Sequence, residues 1–488
     1  MRNEFADDSL TLHTDLYQIN MAQTYWEDNI HNKKAVFEVF FRKLPFGNGY
    51  GIFAGLERVI EYIENFRFTE SDLMYLKNEL HYKDDFLDYL KSMRFSGTIK
   101  SMEEGELVFG NEPIMRVEAP LAEAQIVETA LLNIINYQTL IATKARRIKE
   151  VIGDGTAMEF GSRRAHEMDA AIWGTRAAYI GGFDATSNVR AGKKFGIPVA
   201  GTHAHSFVQA YRDEYTAFKK YATAHKDCVF LVDTYDTLKS GVPNAIKVAK
   251  ELGDKINFKG IRLDSGDLAY LSKEARRMLD EAGFPDAKIV ASNDLDEYTI
   301  INLKAQGAKI DIWGVGTKLI TAFEQAALGA VYKLVSIEDE TGKMADTIKI
   351  SGNPEKVTTP GLKRVYRIIN KDNHKSEGDY IALEHENPQQ EQRLKMFHPV
   401  HTFVSKFVTN FEARELHKEI FKEGELVYQV PSLKKMQSFA KENLNVLWDE
   451  YRRSLNPEEY PVDLSQECWD NKMNMIQQVK EKVKSNIR

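Results

Sequence analysis

KGIRLDSGDL, residues 259 to 268, contains the change of pattern on which the reading of the fold turns. Ile261 and Leu263 belong to a short apolar strand that stops at Asp264, Ser265, Gly266 and Asp267, before a helical pattern starts at Leu268. A strand that ends in acids and a glycine presents a site. Arg262 is the odd residue in this run. A strand covered by helices is expected to be apolar on both faces, so a guanidinium there needs an anion to face. Two readings stay open at this point: an Arg262–Asp264 pair that holds the loop, or a functional site.

The same pattern recurs on both sides. Between Thr156 and Val335, short apolar runs alternate with helical stretches, and the runs end at GSRR (161 to 164), DATSN (184 to 188), GTHAHS (201 to 206), DTYDT (233 to 237), DSGD (264 to 267), SND (292 to 294) and GVGTK (314 to 318). A further run spans Ala330 to Val335. Eight strands alternating with helices fit a parallel βα barrel better than an open sheet. In such a barrel the polar strand ends converge on one face, which holds the site.

The flanking segments read differently. Thr14 and Asp15 lead into a helix with Tyr17 in its first turn, a Val- and Phe-rich strand covers Ala35 to Phe41, and Thr69 with Asp72 approximates a capping box. Short strands between Gly97 and Val117 precede a long helix from about Leu121 to Ile152. Residues 1–150 are therefore expected to form an α+β domain, completed by part of 336–400, and 151–335 the barrel carrying the site. The tail from about Phe403 is mixed and ends in amphipathic helices; residues 400–488 are read as a C-terminal, mainly helical extension.

Composition narrows the partners. The net charge of −7 is spread along the 488 residues, and no basic stripe interleaved with aromatics suggests nucleic acid. Cys228 and Cys468 are the two cysteines, too few for a disulfide framework, which points to a reducing, cytoplasmic setting. The N-terminus MRNEFADDSL has no apolar core of a leader, and no run of apolar residues is long enough to span a membrane.

Gly314-Val315-Gly316-Thr317 follows the seventh strand, a place where barrels bind phosphate through free backbone N–H groups. Arg163, Arg164, Arg176, Arg190, Lys193 and Lys194 supply cations for a phosphorylated substrate. Asp184, Asp233, Asp236, Asp264 and Asp267 supply carboxylates at strand ends, which suggests Mg²⁺ or a developing positive charge. Together these point to transfer chemistry on a phosphosugar. His203 and His205, two apart, raise the rival reading of a metal-dependent barrel hydrolase. Such a site draws further histidines from later strands, and none occurs between His225 and His374. His203 is then a structural imidazole, and His205 beside Ser206 the better catalytic residue.

These residues lie in segments by which the chain resembles the nicotinate phosphoribosyltransferase family: DLYQINMAQTYW, EFGSRRAH, GGFDATSN, GTHAHSFV, VDTYDT, GIRLDSGDL, GVGTKL, YKLV and NPEKVTTPG. The resemblance covers nearly the whole length. It implies the type II phosphoribosyltransferase fold, an α/β architecture in which an irregular parallel βα barrel joins an α+β domain built from N- and C-terminal segments. It implies formation of nicotinate mononucleotide from nicotinate and 5-phosphoribosyl 1-diphosphate with coupled ATP hydrolysis, the first step of NAD salvage from nicotinate, with Mg²⁺ as cofactor and a homodimer with shared active sites. By the same resemblance Phe160, and Tyr17 reaching from the neighbouring subunit, stack on the pyridine ring, while Asp184, Thr202 and Arg262 surround its substituent. Arg163, Gly314, Gly316, Thr317 and Thr358 contact the phosphoribosyl diphosphate. Asp233 and Asp264 contact its ribose or the metal, and Asp264 is also assigned a catalytic part. His205 is the phosphohistidine. The alternative within the family is the nicotinamide enzyme. A non-catalytic nucleotide sensor is a different class, against which His205, Asp264 and the glycine loop speak.

Overall fold

Strand β4 (Asn257–Leu263) lies in a six-stranded, all-parallel sheet with β1 (Thr156–Glu159), β2 (Ala185–Thr186), β3 (Asp227–Leu231), β5 (Lys288–Ser292) and β6 (Ile312–Val315), in the order β2-β1-β6-β5-β4-β3. This half-barrel belongs to a computed structural model that describes residues 10–353 and 356–486. Met1–Ser9 of the N-terminal reading, Pro354 and Glu355 of the SGNPEKVTTPG loop, and Ile487 and Arg488 of the tail lie outside the described residues. The chain divides into two units, one of Met1–Leu140 with Ala327–Arg488 and one of Ile141–Ala326.

In the second unit, Ile261 and Leu263 of β4 are fully buried, and Arg262 between them points to the other face, as a period of two requires. Gly260 adopts φ +149°, and a Cβ there would stand 1.9 Å from the Lys288 carbonyl oxygen. The pairing of β3 with β4 shifts register between Cys228 and Val229, opposite this glycine. The bulge re-aims the next residues. Helices follow the strands, among them Glu167–Ile180, Val242–Leu252, Leu268–Glu281 and Glu297–Ala305.

Six strands make the sheet where eight were expected. The run before GTHAHS contributes one isolated parallel bridge, Thr186 to Val199. The last run, Ala330–Glu338, is in the first unit, paired antiparallel with Lys34–Phe41. Its Tyr332 ring stacks on Phe37 at 4.6 Å. A short apolar run does not announce its partner strand; here a cross-strand aromatic pair stabilises the antiparallel choice.

The first unit is built on a seven-stranded antiparallel sheet whose buried centre includes Lys34–Phe41 and Met115–Pro120. A second sheet of four strands, Phe411–Glu415, Lys363–Asn370, Ser376–Leu383 and Val462–Leu464, shares a core with the two-stranded sheet of Arg393–Phe397 and Ser405–Thr409, in which Tyr366 and Ile368 meet Met396 and Val408. Residues 400–488 hold strands as well as helices: Ser405–Thr409, Phe411–Glu415 and Lys418–Lys422 are strands, and helices follow at Leu433–Asn443 and Gln466–Asn486. Alternation is the reason, since Val408 is buried between exposed neighbours and Phe411 and Ala413 are buried on either side of Glu412. The expected long helix breaks at Val127 into Leu121–Ile126 and Glu128–Ile152. Thr69 and Asp72 do form a reciprocal capping box, with bonds of 2.8 and 3.2 Å. Among the described residues no helix is long and apolar enough to cross a membrane.

Candidate active site

Parallel register gathers side chains at the carboxyl ends of the strands in the second unit. Leu231 and Val290 flank Arg262, Ser292 lies beside Gly314, and Gly314 lies beside Met158. Alternation then turns Arg262, Asp264 and Ser292 to one side of the sheet. Arg262 Nε donates to Ser292 Oγ at 3.0 Å, Nη1 to Thr202 Oγ1 at 3.2 Å, and Nη2 to Asp264 Oδ1 at 2.9 Å. Ser292 Oγ donates in turn to Asp264 Oδ1. The ion pair and the convergent polar site thus coexist.

Asp233 stands on the loop after β3 with a side chain 2% exposed. Its Oδ2 accepts the Asp264 N–H at 2.8 Å and the Ser265 hydroxyl at 2.7 Å, while its buried Oδ1 has no hydrogen-bond partner. His205 opens the helix His205–Tyr211, and its Nδ1 is 3.1 Å from Thr234 Oγ1. The other ring nitrogen, Nε2, faces Asp233 Oδ1 at 3.9 Å and Asp264 Oδ2 at 3.8 Å. With Nδ1 protonated and donating to Thr234, Nε2 carries the lone pair. In that tautomer the Nε2 lone pair looks onto two carboxylates.

Phe160 follows β1, its N–H bonded to the Val315 carbonyl at 2.8 Å, and the Arg262 guanidinium carbon lies 5.7 Å from its ring centroid. Gly314 makes room for that ring, because a Cβ there would come within 2.6 Å of two Phe160 ring atoms. Beneath it, buried Glu159 accepts from the Gly161 N–H and from the hydroxyls of Thr175 and Thr186 at 2.8 and 2.7 Å. Burial raises the Glu159 pKa and these donors oppose the rise. The orphaned Asp233 Oδ1 and the outward Asp264 Oδ2 suit a hard cation, and Mg²⁺ needs only one or two carboxylates when substrate phosphates complete its shell. Among the described residues no group of three or more His, Cys, Asp or Glu forms a protein-only metal site.

Models of the nicotinate phosphoribosyltransferase N-terminal domain, family and C-terminal domain match residues 12–136, 156–378 and 362–472. The nicotinate phosphoribosyltransferase of Bacillus subtilis strain 168 is 72% identical over 483 residues, covering 99% of this chain and 98% of its own. The chain belongs to the nicotinate phosphoribosyltransferase family. The nicotinate phosphoribosyltransferase of Dictyostelium discoideum is 38% identical over 520 residues, with 95% of this chain and 87% of its own covered. The crystal structure of human nicotinic acid phosphoribosyltransferase superposes with a TM-score of 0.84 at 29% identity, covering 95% of this chain and 99% of that one.

Not every residue singled out in the sequence joins the cluster. Asp184 does not: its carboxylate accepts the Ala157 N–H at 2.8 Å and Lys149 Nζ at 2.9 Å, near the start of β1 rather than its end. A one-residue lead before the short β2 places it there. Asp236 and Asp267 are helix N-caps, accepting the N–H groups of Lys239 at 2.8 Å and Tyr270 at 3.0 Å. Arg176 is buried against the Trp173 and Phe195 rings, so it is a core cation and not a surface one. Arg163 is exposed in the turn Ser162–Arg164, and Gly316 and Thr317 open the short helix Thr317–Ile320. Tyr17 and Thr358 belong to the first unit. Tyr17 is 49% exposed, and buried Thr358 accepts the Lys349 N–H at 2.9 Å.

His203 is structural, its Nε2 accepting the Leu231 N–H at 3.3 Å among Phe207, Phe218 and Tyr221. Ser292, Thr234, Ser265 and Glu159 are participants that residue-type reasoning passed over. SND and DTYDT marked the strand ends of the first two, but a hydroxyl carries no signal until its partners are placed.

Proposed function

We propose that this chain joins nicotinate to the phosphoribosyl group of 5-phosphoribosyl 1-diphosphate, giving nicotinate mononucleotide and diphosphate, and couples the step to hydrolysis of ATP to ADP and phosphate. It is the first step of NAD salvage from nicotinate. The observation that carries the reading is Arg262 beside the Phe160 ring, at 5.7 Å. An aromatic face suits a flat heterocycle, and a guanidinium suits its carboxylate. A charged hydrogen bond to the acid contributes roughly 1.5–3 kcal/mol, more than a neutral amide receives.

In the transfer the pyridine nitrogen supplies the electron pair. The C1–N bond forms as the C1–O bond to diphosphate breaks, and no proton has to move. Positive charge develops on C1, where Asp233 and Asp264 stabilise it. Their free oxygens would hold Mg²⁺, which when bound neutralises charge on the leaving diphosphate. Arg163, Gly314, Gly316 and Thr317 serve the phosphate groups, and the partner subunit's Tyr17 covers the second face of the ring in a homodimer. Two buried, unbridged cysteines suit a cytoplasmic enzyme.

His205 takes the phosphoryl group of ATP. The P–N bond forms at Nε2 while the terminal phosphoanhydride bond breaks and ADP leaves. Water later cleaves the P–N bond and releases phosphate. With ATP labelled in its terminal phosphate, the parent should incorporate acid-labile label and form nucleotide faster as ATP is added. His205→Asn should keep the fold and basal transfer but lose both responses. Equal labelling and equal ATP stimulation in that variant would put the relay elsewhere.

A further inference from the structure

Arg262 has five N–H donors in a rigid plane. Three are committed, Nε to Ser292, Nη1 to Thr202 and Nη2 to Asp264. The Nε and Nη2 edge, which could grip both oxygens of one carboxylate, instead meets Ser292 Oγ and Asp264 Oδ1, themselves joined by the serine proton. Ser292 thus occupies the place of a second carboxylate oxygen. Its side chain is held there firmly: Ser292 is 4% exposed, it ends β5 beside Gly314, and the chain turns into positive φ at Asn293 (109°) and Asp294 (45°) immediately afterwards. Left-handed backbone at two successive non-glycine residues is costly. It fixes where the strand stops and hence where the hydroxyl points.

We infer that Ser292 is a positioning residue that sets substrate choice, by holding Asp264 to a one-oxygen grip on Arg262. The hydroxyl has two consequences. It leaves one N–H on each Nη nitrogen for an incoming carboxylate, and it leaves Asp264 Oδ2 facing His205 Nε2. Without it, Nε–H loses its acceptor in a part-buried site, and an unpaired donor there is costly. The guanidinium then turns to pair with both oxygens of Asp264. Such a pair is self-sufficient and no longer offers its free N–H groups in the direction of a ligand lying on Phe160. A substrate that depends on the guanidinium loses affinity as well as rate; one that does not loses only what Asp264 Oδ2 supplied to both.

The inference rests on nicotinate being the substrate, and the parent's own turnover of nicotinate tests that reading separately. The ratio of variant to parent tests Ser292. Two variants separate hydrogen bonding from packing: Ser292→Ala removes the hydroxyl, and Ser292→Cys keeps a side chain of similar size with only a weak donor and acceptor. Steady-state kinetics with nicotinate and with nicotinamide should show KM for nicotinate rising at least tenfold in both variants. The maximal rate should fall to a similar extent with both substrates, because Asp264 Oδ2 is drawn to Arg262, and the preference for nicotinate over nicotinamide should fall by the same order as the KM rise. Thermal unfolding should stay near the parent's. A Ser292→Cys enzyme indistinguishable from the parent would make the residue a packing element and overturn the inference. So would equal losses of kcat/KM on both substrates, or a KM for nicotinate within twofold of the parent in Ser292→Ala.

Discussion

His203 and His205 stand two residues apart and occupy opposite electrostatic situations. His203 is 8% exposed among aromatic rings, and burial pushes its pKa from 6.5 down to about 4. A histidine depressed in the folded state favours the unfolded chain when protonated, so its contribution is full above pH 6.5 and is lost as pH falls toward 4. The loss reaches about 3 kcal/mol across that window. Denaturant unfolding from pH 7 to pH 4 should therefore show a steeper fall in stability for the parent than for His203→Gln, whose amide still accepts from the Leu231 N–H but does not titrate. Parallel curves would contradict it. At this scale the sequence identified Arg262, Asp264 and His205 because a charge in an apolar strand, or a histidine at a strand end, is visible as a departure from pattern. Ser292 and Thr234 were not visible. Their importance lies in a geometry that brings β5 to β4 and the loop after β3 to His205. Asp184 is the converse case: an acid at a strand boundary serves either end of the strand, and its carboxylate accepts from the Ala157 N–H and Lys149.

Among the elements, β4 depends most on a single residue. Gly260 must accept φ +149° and the Lys288 backbone at the same time, a conformation open to glycine and closed to residues with a Cβ. Gly260→Ala should cost roughly 3 kcal/mol or more, by strain and by a backbone clash. Gly329→Ala, at a glycine with nothing within 4 Å of the added carbon, should change stability little. Chemical denaturation of the two variants checks this, and equal, small effects would show that β4 tolerates rearrangement. The alternation of strands and helices was legible because each strand of the parallel sheet ends in a polar signal before its helix. Partner choice was not. Ala330–Glu338 carries the same apolar texture as the barrel strands, and its stacking on Phe37, almost 300 residues away, is nonlocal.

For the whole molecule, the two units differ in what they offer. The one of Ile141–Ala326 contains Arg262, Asp264, His205 and Phe160, and the other carries Tyr17 and Thr358. If the partner subunit's Tyr17 closes the ring site, a Tyr17→Ala subunit and an Asp264→Asn subunit should each lack most activity alone and regain part of it in a mixed dimer, which contains one site with both residues intact. Heterodimers shown to form and yet inactive would rule out sharing. Segment motifs spread over the chain carried the family and its α/β architecture, and the resemblance they carry also led to the expectation that N- and C-terminal segments share one domain.

The central claim is that Arg262, held over Phe160 by Thr202, Asp264 and Ser292, reads a carboxylate on a flat ring. Its most direct measurement is mononucleotide formation by the purified enzyme from nicotinate, nicotinamide and quinolinate in parallel, repeated with Arg262→Gln. The account predicts that nicotinate is strongly preferred by the parent, and that kcat/KM for nicotinate falls about 100-fold in the variant, the loss expected from about 2.7 kcal/mol of charged hydrogen bonding. Turnover of nicotinamide by the parent equal to or better than that of nicotinate, or an Arg262→Gln enzyme that keeps the parent's preference, would contradict it.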